Sequence, residues 1–223
     1  MFARGIYAIV DGDRLALTDQ KALRPPVHVL RAYAQAALQA GAVAVQLRLK
    51  ALPLGHPLRL TATNAIRRAL GGRIPLIVDD DLRAAVDGHA GLHLGQTDSD
   101  PRLAQPQLQP TTLLGWSTHT LEQVKIAQDL PVDYLGFGPI RPTTGKQNPD
   151  ATTGLTGLMQ AVAVSRLPVV AIGGLTLADV RPVRETGAHA MAVIGAWLGP
   201  QGQPWPPAIA AEKLQKLVEA WDA

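Results

Sequence analysis

Residues 169–195 read VVAIGGLTLADVRPVRETGAHAMAVIG, and this stretch decides the fold. Val169 to Ile172 is a short, wholly apolar run, the composition of a strand covered on both faces. The pair Gly173-Gly174 breaks the run. Leu177 to Thr186 then carries helical spacing, with Asp179 and Glu185 expected on its solvent side, and Gly187 stops it. Ala190 to Ile194 is a second apolar run, closed by Gly195. Strand, helix and strand in close succession make a βαβ unit with parallel strands.

The same unit repeats outward in both directions. Apolar runs recur at Ile6 to Val10, Val43 to Leu47, Pro75 to Val78, Gly91 to Leu94, Leu113 to Trp116 and Tyr134 to Phe137. Helical spacing fills intervals between them, as in Val29 to Gln39 before Gly41, and Leu121 to Leu130. Eight alternating strands fit either a closed barrel or a doubly wound sheet. The length of 223 residues favours a single-domain (βα)8 TIM barrel of parallel strands, a fold that needs roughly 200 to 250 residues. Leu52 to Pro57, Pro101 to Pro110 and Gly199 to Pro207 read as proline-rich surface connections, and an amphipathic helix over about Ala208 to Trp221 closes the chain.

Composition narrows the function classes. With no cysteine, disulfides and thiolate metal sites are excluded. The net charge of +3 is small and its basic residues are scattered, with Arg67-Arg68 the one adjacent pair, so a nucleic-acid partner is not expected. A phosphorylated small molecule accounts for the basic excess. The apolar segment Gly5 to Val10, ending at Asp11, is too short for a signal sequence, and no run is long enough to span a bilayer. A cytoplasmic protein without a membrane partner is expected, and a homo-oligomer is compatible with the sequence.

Polar residues cluster just after the strand-like runs, where α/β folds build their sites. Gln46, Arg48 and Lys50 alternate along the second run and so share one side, suiting an anion. Asp79-Asp80-Asp81 follows the third; one of them is expected to cap a helix, and the rest call for a cation. Asp98 ends the segment from His93, and Asp80 with Asp98 could share one Mg²⁺, which takes one or two carboxylates plus substrate phosphates. His93 itself reads as a satisfied core histidine. Gly115-Trp116-Ser117-Thr118-His119 lacks the second glycine of a nucleophile elbow, so Ser117 is read as a phosphate donor. Gly136 to Lys146 opens into a loop whose Thr143, Thr144, Gly145 and Lys146 can cradle an anion. Gly174 at the seventh strand, with Ile194 and Gly195 at the eighth, marks the recurrent phosphate position of barrels.

In this order, the motifs resemble the thiamine-phosphate synthase family: Gln-x-Arg-x-Lys, the acidic turn, His-x-Gly-Gln-x-Asp, Gly-x-Ser-x-His, Gly-x-Gly-Pro-x-x-x-Thr and Ile-Gly-Gly. The resemblance runs from Tyr7 to about Trp197. It implies a transferase that joins hydroxymethylpyrimidine pyrophosphate to thiazole phosphate, giving thiamine phosphate and pyrophosphate. It further implies that Gln46, Arg48, Lys50 and Asp79 hold the pyrimidine substrate and its pyrophosphate, with Ser117 and Lys146 contacting the same group. Arg48, Lys50 and Lys146 would be the catalytic cations, and Asp80 and Asp98 the Mg²⁺ ligands. Thr143, Thr144, Gly145, Gly174, Ile194 and Gly195 would bind the thiazole phosphate. Against the family pattern, Asp79 stands for an asparagine, Gly145 for a hydroxyl residue, Gly195 for a serine, and Arg141 for an aromatic. Two alternatives follow: a thiazole tautomerase-like relative, or a non-catalytic binder of phosphorylated ligands.

Overall fold

The computed structural model describes residues 3–16, 27–143, 151–200 and 202–223. Eight parallel strands close into a barrel in chain order, β1 pairing with both β2 and β8. They are β1 (Gly5–Asp11), β2 (Ala44–Arg48), β3 (Leu76–Asp79), β4 (Gly91–Leu94), β5 (Leu114–Thr118), β6 (Tyr134–Phe137), β7 (Val169–Ala171) and β8 (Ala190–Val193). The expected barrel, with all eight strands, is therefore observed.

The helices are α1 (Gly12–Ala16), α2 (Val27–Gln39), α3 (Pro57–Leu70), α4 (Leu82–Asp87), α5 (Pro101–Ala104), α6 (Leu121–Ala127), α7 (Gly154–Val164), α8 (Val180–Glu185), α9 (Gly195–Leu198) and α10 (Pro207–Asp222). Their starts follow local chemistry. Asp81 caps α4 by accepting from the Ala84 N–H at 2.9 Å, as one of the three aspartates was expected to do. Asp100 caps α5 with Pro101 in its first turn, so the segment expected to be only a proline-rich connection carries a short helix. The interval before β8 also differs from expectation: a 3₁₀ turn over Leu177–Asp179 precedes α8, and Asp179 is buried rather than solvent-facing.

Strand alternation sorts the core into two layers. Ile6, Ala8 and Val10 of β1 face outward and pack under the helices with Val45, Leu47, Val78, Leu92 and Leu135. Tyr7 and Ile9 face the barrel axis, where they meet Ala44, Ile77, Tyr134, Val170, Ala190 and Ala192. The seam between β1 and β8 is fastened by Trp197 of α9. Its indole is fully buried and its Nε1–H lies 3.2 Å from both the Ile9 and Val193 carbonyls. Helix α10 packs on α2, α8, α9 and β1. No described helix is long and apolar enough to cross a membrane.

Candidate active site

A cavity of about 1060 Å³ opens at the C-terminal ends of the strands. Of the residues expected to form the site, Gln46, Arg48, Lys50, Asp79, Asp80, Asp98, Ser117, Thr143, Gly174, Ile194 and Gly195 all line it. Thr144, Gly145 and Lys146 lie outside the described residues. The cavity has two chemically distinct sides, one charged and one glycine-rich.

The charged side comes from β1 to β4. Arg48 Nη1 pairs with Asp11 Oδ2 at 2.9 Å, and its Nε stands 3.8 Å from Asp79 Oδ2. Lys50 lies 3.5 Å from Asp79 and makes a close ion pair with Asp80. Burial alone would lower the Lys50 pKa, but Asp79 and Asp80 outweigh it and hold the ammonium above its usual value. Burial pushes the Asp79 carboxyl up, against the pull of Lys50 and Arg48, and its Oδ2 has no hydrogen-bond partner. Asp98 is likewise pushed up, first by burial and then by Asp80, whose side chain is within hydrogen-bonding reach. Asp80 holds φ of +63°, a costly conformation for a residue with a side chain, and this turns its carboxylate toward Lys50 and Asp98.

Five aspartates (Asp11, Asp13, Asp79, Asp80, Asp98) and three fixed cations (Arg14, Arg48, Lys50) line the cavity among the described residues. That acidic excess disfavours a pyrophosphate unless a further cation balances it. Asp80 and Asp98 fit a hard divalent ion in donor chemistry and proximity. Among the described residues no group of three or more His, Asp and Glu side chains could hold a metal ion, so substrate oxygens would have to complete the coordination.

The floor is a hydrogen-bonded chain across the barrel. Gln46 Nε2 donates to the Tyr7 hydroxyl at 3.2 Å; the Tyr7 and Tyr134 hydroxyls are 3.1 Å apart; Tyr134 meets His93 Nδ1 at 3.0 Å; and His93 Nε2 meets Ser117 Oγ at 2.9 Å. Burial raises the pKa of both phenols, so both stay neutral. Each hydroxyl and each ring nitrogen of this chain thus has a neighbour within hydrogen-bonding distance, from Gln46 through to Ser117. Ser117 and His93 stand as a hydrogen-bonded pair; His93 is hydrogen-bonded, as expected, but it lines the cavity and is only partly buried rather than a core histidine. The sequence reading missed Tyr7 and Tyr134, although period-two alternation from Asp11 already turns Tyr7 inward.

The glycine-rich side is built by the loops after β6, β7 and β8. Gly174 has φ of +66°, and a Cβ there would stand 2.3 Å from the Pro142 carbonyl oxygen. Only glycine allows the two loops to touch. Arg141 Nε donates to Asp179 Oδ1 at 2.9 Å, tying the same loops from outside. The arginine standing for an aromatic thus has a bracing partner. Arg14 of α1 reaches this side from β1, another residue the sequence reading did not single out.

A protein-family model described as thiamine monophosphate synthase matches residues 15–197. The thiamine-phosphate synthase of Chlamydia caviae is 36% identical over 207 residues, covering 92% of this chain and 94% of its own. That of Anaeromyxobacter dehalogenans is 39% identical over 218 residues, covering 97% and 88%. Among solved structures, a thiamine phosphate pyrophosphorylase from Pyrococcus furiosus superposes with a TM-score of 0.76 at 30% identity, covering 96% of this chain and 95% of that one. A match of this extent, on a closed barrel carrying the expected polar motifs around one cavity, places the chain in the thiamine-phosphate synthase family.

Proposed function

We propose that this protein is a transferase that condenses hydroxymethylpyrimidine pyrophosphate with thiazole phosphate, releasing pyrophosphate and thiamine phosphate. The observation that carries the reading is the division of one cavity into a charged side and a glycine side, because the reaction brings together a pyrophosphate and a phosphomonoester. The pyrimidine pyrophosphate lies against Gln46, Arg48, Lys50, Asp79 and Ser117, and the thiazole phosphate against Thr143, Gly174, Ile194 and Gly195. Thr144, Gly145 and Lys146, which lie outside the described residues, keep the roles that the family resemblance implies. The barrel acts as one domain of a cytoplasmic biosynthetic enzyme whose partners are these phosphorylated small molecules.

The chemistry asks little of the protein beyond position and charge. The carbon–oxygen bond to pyrophosphate breaks, and its electron pair leaves with the pyrophosphate. The aminopyrimidine ring stabilises the methylene cation. The thiazole nitrogen donates its lone pair to that carbon, forming the new carbon–nitrogen bond. No protein nucleophile or base is needed. Arg48 and Lys50 neutralise charge on the leaving oxygens, aided by Lys146. Asp80 and Asp98 would hold Mg²⁺, which supplies further charge neutralisation when bound. The Ser117 hydroxyl, oriented by His93, donates to the pyrimidine substrate. The charged side gives no reason to prefer a thiazole tautomerase or a silent binder, since neither would require a pyrophosphate grip.

The test is turnover of the two substrates by purified protein, with Mg²⁺ and then with excess EDTA. Thiamine phosphate is expected only with the metal, and Asp98→Ala should lower the rate strongly while the melting temperature stays close to that of the unaltered chain. No product under any condition would overturn the activity. Full turnover in EDTA would overturn the metal assignment alone.

A further inference from the structure

One buried cation in the cavity has no role in the chemistry above. Arg14 is only 9% exposed. Its Nη1 donates to the Gly199 carbonyl, while its Nε is buried with no hydrogen-bond partner. No carboxylate forms an ion pair with it among the described residues. Asp11, which could, is already committed: its Oδ1 accepts the Asp13 and Arg14 N–H groups at 3.1 and 3.2 Å, and its Oδ2 accepts from Arg48 at 2.9 Å. Burial lowers the Arg14 pKa and the shared Asp11 charge only partly offsets it, so a ligand anion would be favourable beside this buried guanidinium.

Its position says which ligand. The guanidinium stands over Gly195: a Cβ built on that glycine would lie 3.6 Å from Nη1, 3.8 Å from Nη2 and 3.9 Å from Cζ. Gly173, Gly174 and Thr176 line the same side of the cavity. The glycine loops offer backbone N–H groups and the hydroxyls of Thr143 and Thr176 but no fixed charge lining the cavity, so an anion docked there would meet Arg14 as the cation on its β1 side. Arg48 and Lys50 are engaged across the cavity with Asp11, Asp79 and Asp80.

We propose that Arg14 is the specificity residue for the phosphomonoester of the second substrate: its guanidinium pairs with the phosphate seated on the loops after β7 and β8, so that the phosphorylated thiazole is accepted over the free alcohol. This rests on the transferase reading given above. A planar guanidinium with unspent donors takes phosphate oxygens with directional hydrogen bonds, which a backbone cradle alone supplies without net charge.

The experiment compares the unaltered protein with Arg14→Gln and Arg14→Lys in steady-state kinetics, using thiazole phosphate and its dephosphorylated alcohol. Arg14→Gln should raise the KM for thiazole phosphate by about tenfold to a hundredfold, the worth of one charge-assisted hydrogen bond. The KM for the pyrimidine pyrophosphate and the kcat/KM for the free alcohol should stay within about twofold, and Arg14→Lys should fall between. An unchanged KM for thiazole phosphate overturns the proposal. So does an equal loss for the phosphate, the alcohol and the pyrimidine substrate accompanied by a lower melting temperature, which would make Arg14 a prop for Gly199. Calorimetric titration of thiazole phosphate into the same proteins separates this claim from the activity: if the unaltered chain turns nothing over, the transferase reading falls, while binding lost in Arg14→Gln sustains the role of Arg14 and equal binding refutes it.

Discussion

At the scale of single residues, the site depends as much on missing side chains as on present ones. Gly115 of β5 is inward-facing, and a Cβ there would stand 2.2 Å from Tyr134 Cζ and 2.4 Å from His93 Nδ1. A methyl group would therefore push apart the chain that orients Ser117. Gly136 is the milder neighbour, where the nearest atom to an added Cβ is His93 Cε1 at 3.2 Å. Overpacking of a tight core costs about 1 to 3 kcal/mol. Gly115→Ala is thus expected to lower stability by about that amount and to reduce kcat, with Gly136→Ala affecting both less. Chemical denaturation of the two variants beside their turnover checks the order, and a costlier Gly136→Ala would contradict this account of the floor. The same scale shows what the sequence conceals. Arg14 was not singled out in the sequence, and its neighbours Gly195 and Gly199 lie far along the chain. No local pattern signals such a contact, whereas Gln46, Arg48 and Lys50 were legible because strand alternation alone aligns them.

At the scale of elements, the eight strands were legible because burial on both faces leaves short apolar runs that few other structures explain. The reading weakened where polar residues are satisfied inside an element. β5 runs on to Thr118, fully buried, whose hydroxyl donates to the Gly136 carbonyl at 2.9 Å, so the strand outlasts its apolar run by two residues. Asp179 misled for a similar reason: helical spacing assigned it to solvent, whereas it accepts from Thr176 N at 3.0 Å, Thr176 Oγ1 at 2.9 Å and Arg141 Nε at 2.9 Å. These bonds join the loops after β6 and β7 and so hold the glycine side in shape. Burial pulls the Asp179 pKa up, but the Thr176 hydrogen bonds and Arg141 together outweigh it and leave the carboxyl below its ordinary value. A depressed folded-state pKa contributes stability that is fully present above the unfolded pKa and is lost as pH falls through the folded one. Asp179→Asn should therefore lower the melting temperature at neutral pH, and the gap from the unaltered chain should close as the pH drops below the carboxylate range. A gap independent of pH would show that the charge of Asp179 is not what braces the loops.

At the scale of the whole molecule, the proposed function assigns the two substrates to different arcs of one closed sheet. The charged side draws on β1 to β4 and the glycine side on β6 to β8, and Trp197 locks the seam where β8 returns to β1. A barrel closed in this way has no free edge from which one arc could peel while the other stays folded. Ligands of either side should thus report on the same global transition. A ligand that binds only the folded state stabilises it by about 2.7 kcal/mol at a hundred times its Kd. For a chain of this size each kcal/mol moves the melting temperature by roughly 2 to 4 °C. Saturating thiazole phosphate alone, and Mg²⁺ with pyrophosphate alone, should each raise the midpoint of a single calorimetric transition by roughly 5 to 10 °C. Together they should raise it further, because the sites are separate and the unfolding event is shared. Two transitions, each moved by only one ligand, would mean that the arcs unfold independently, and that closure through Trp197 does not bind the barrel into one cooperative unit.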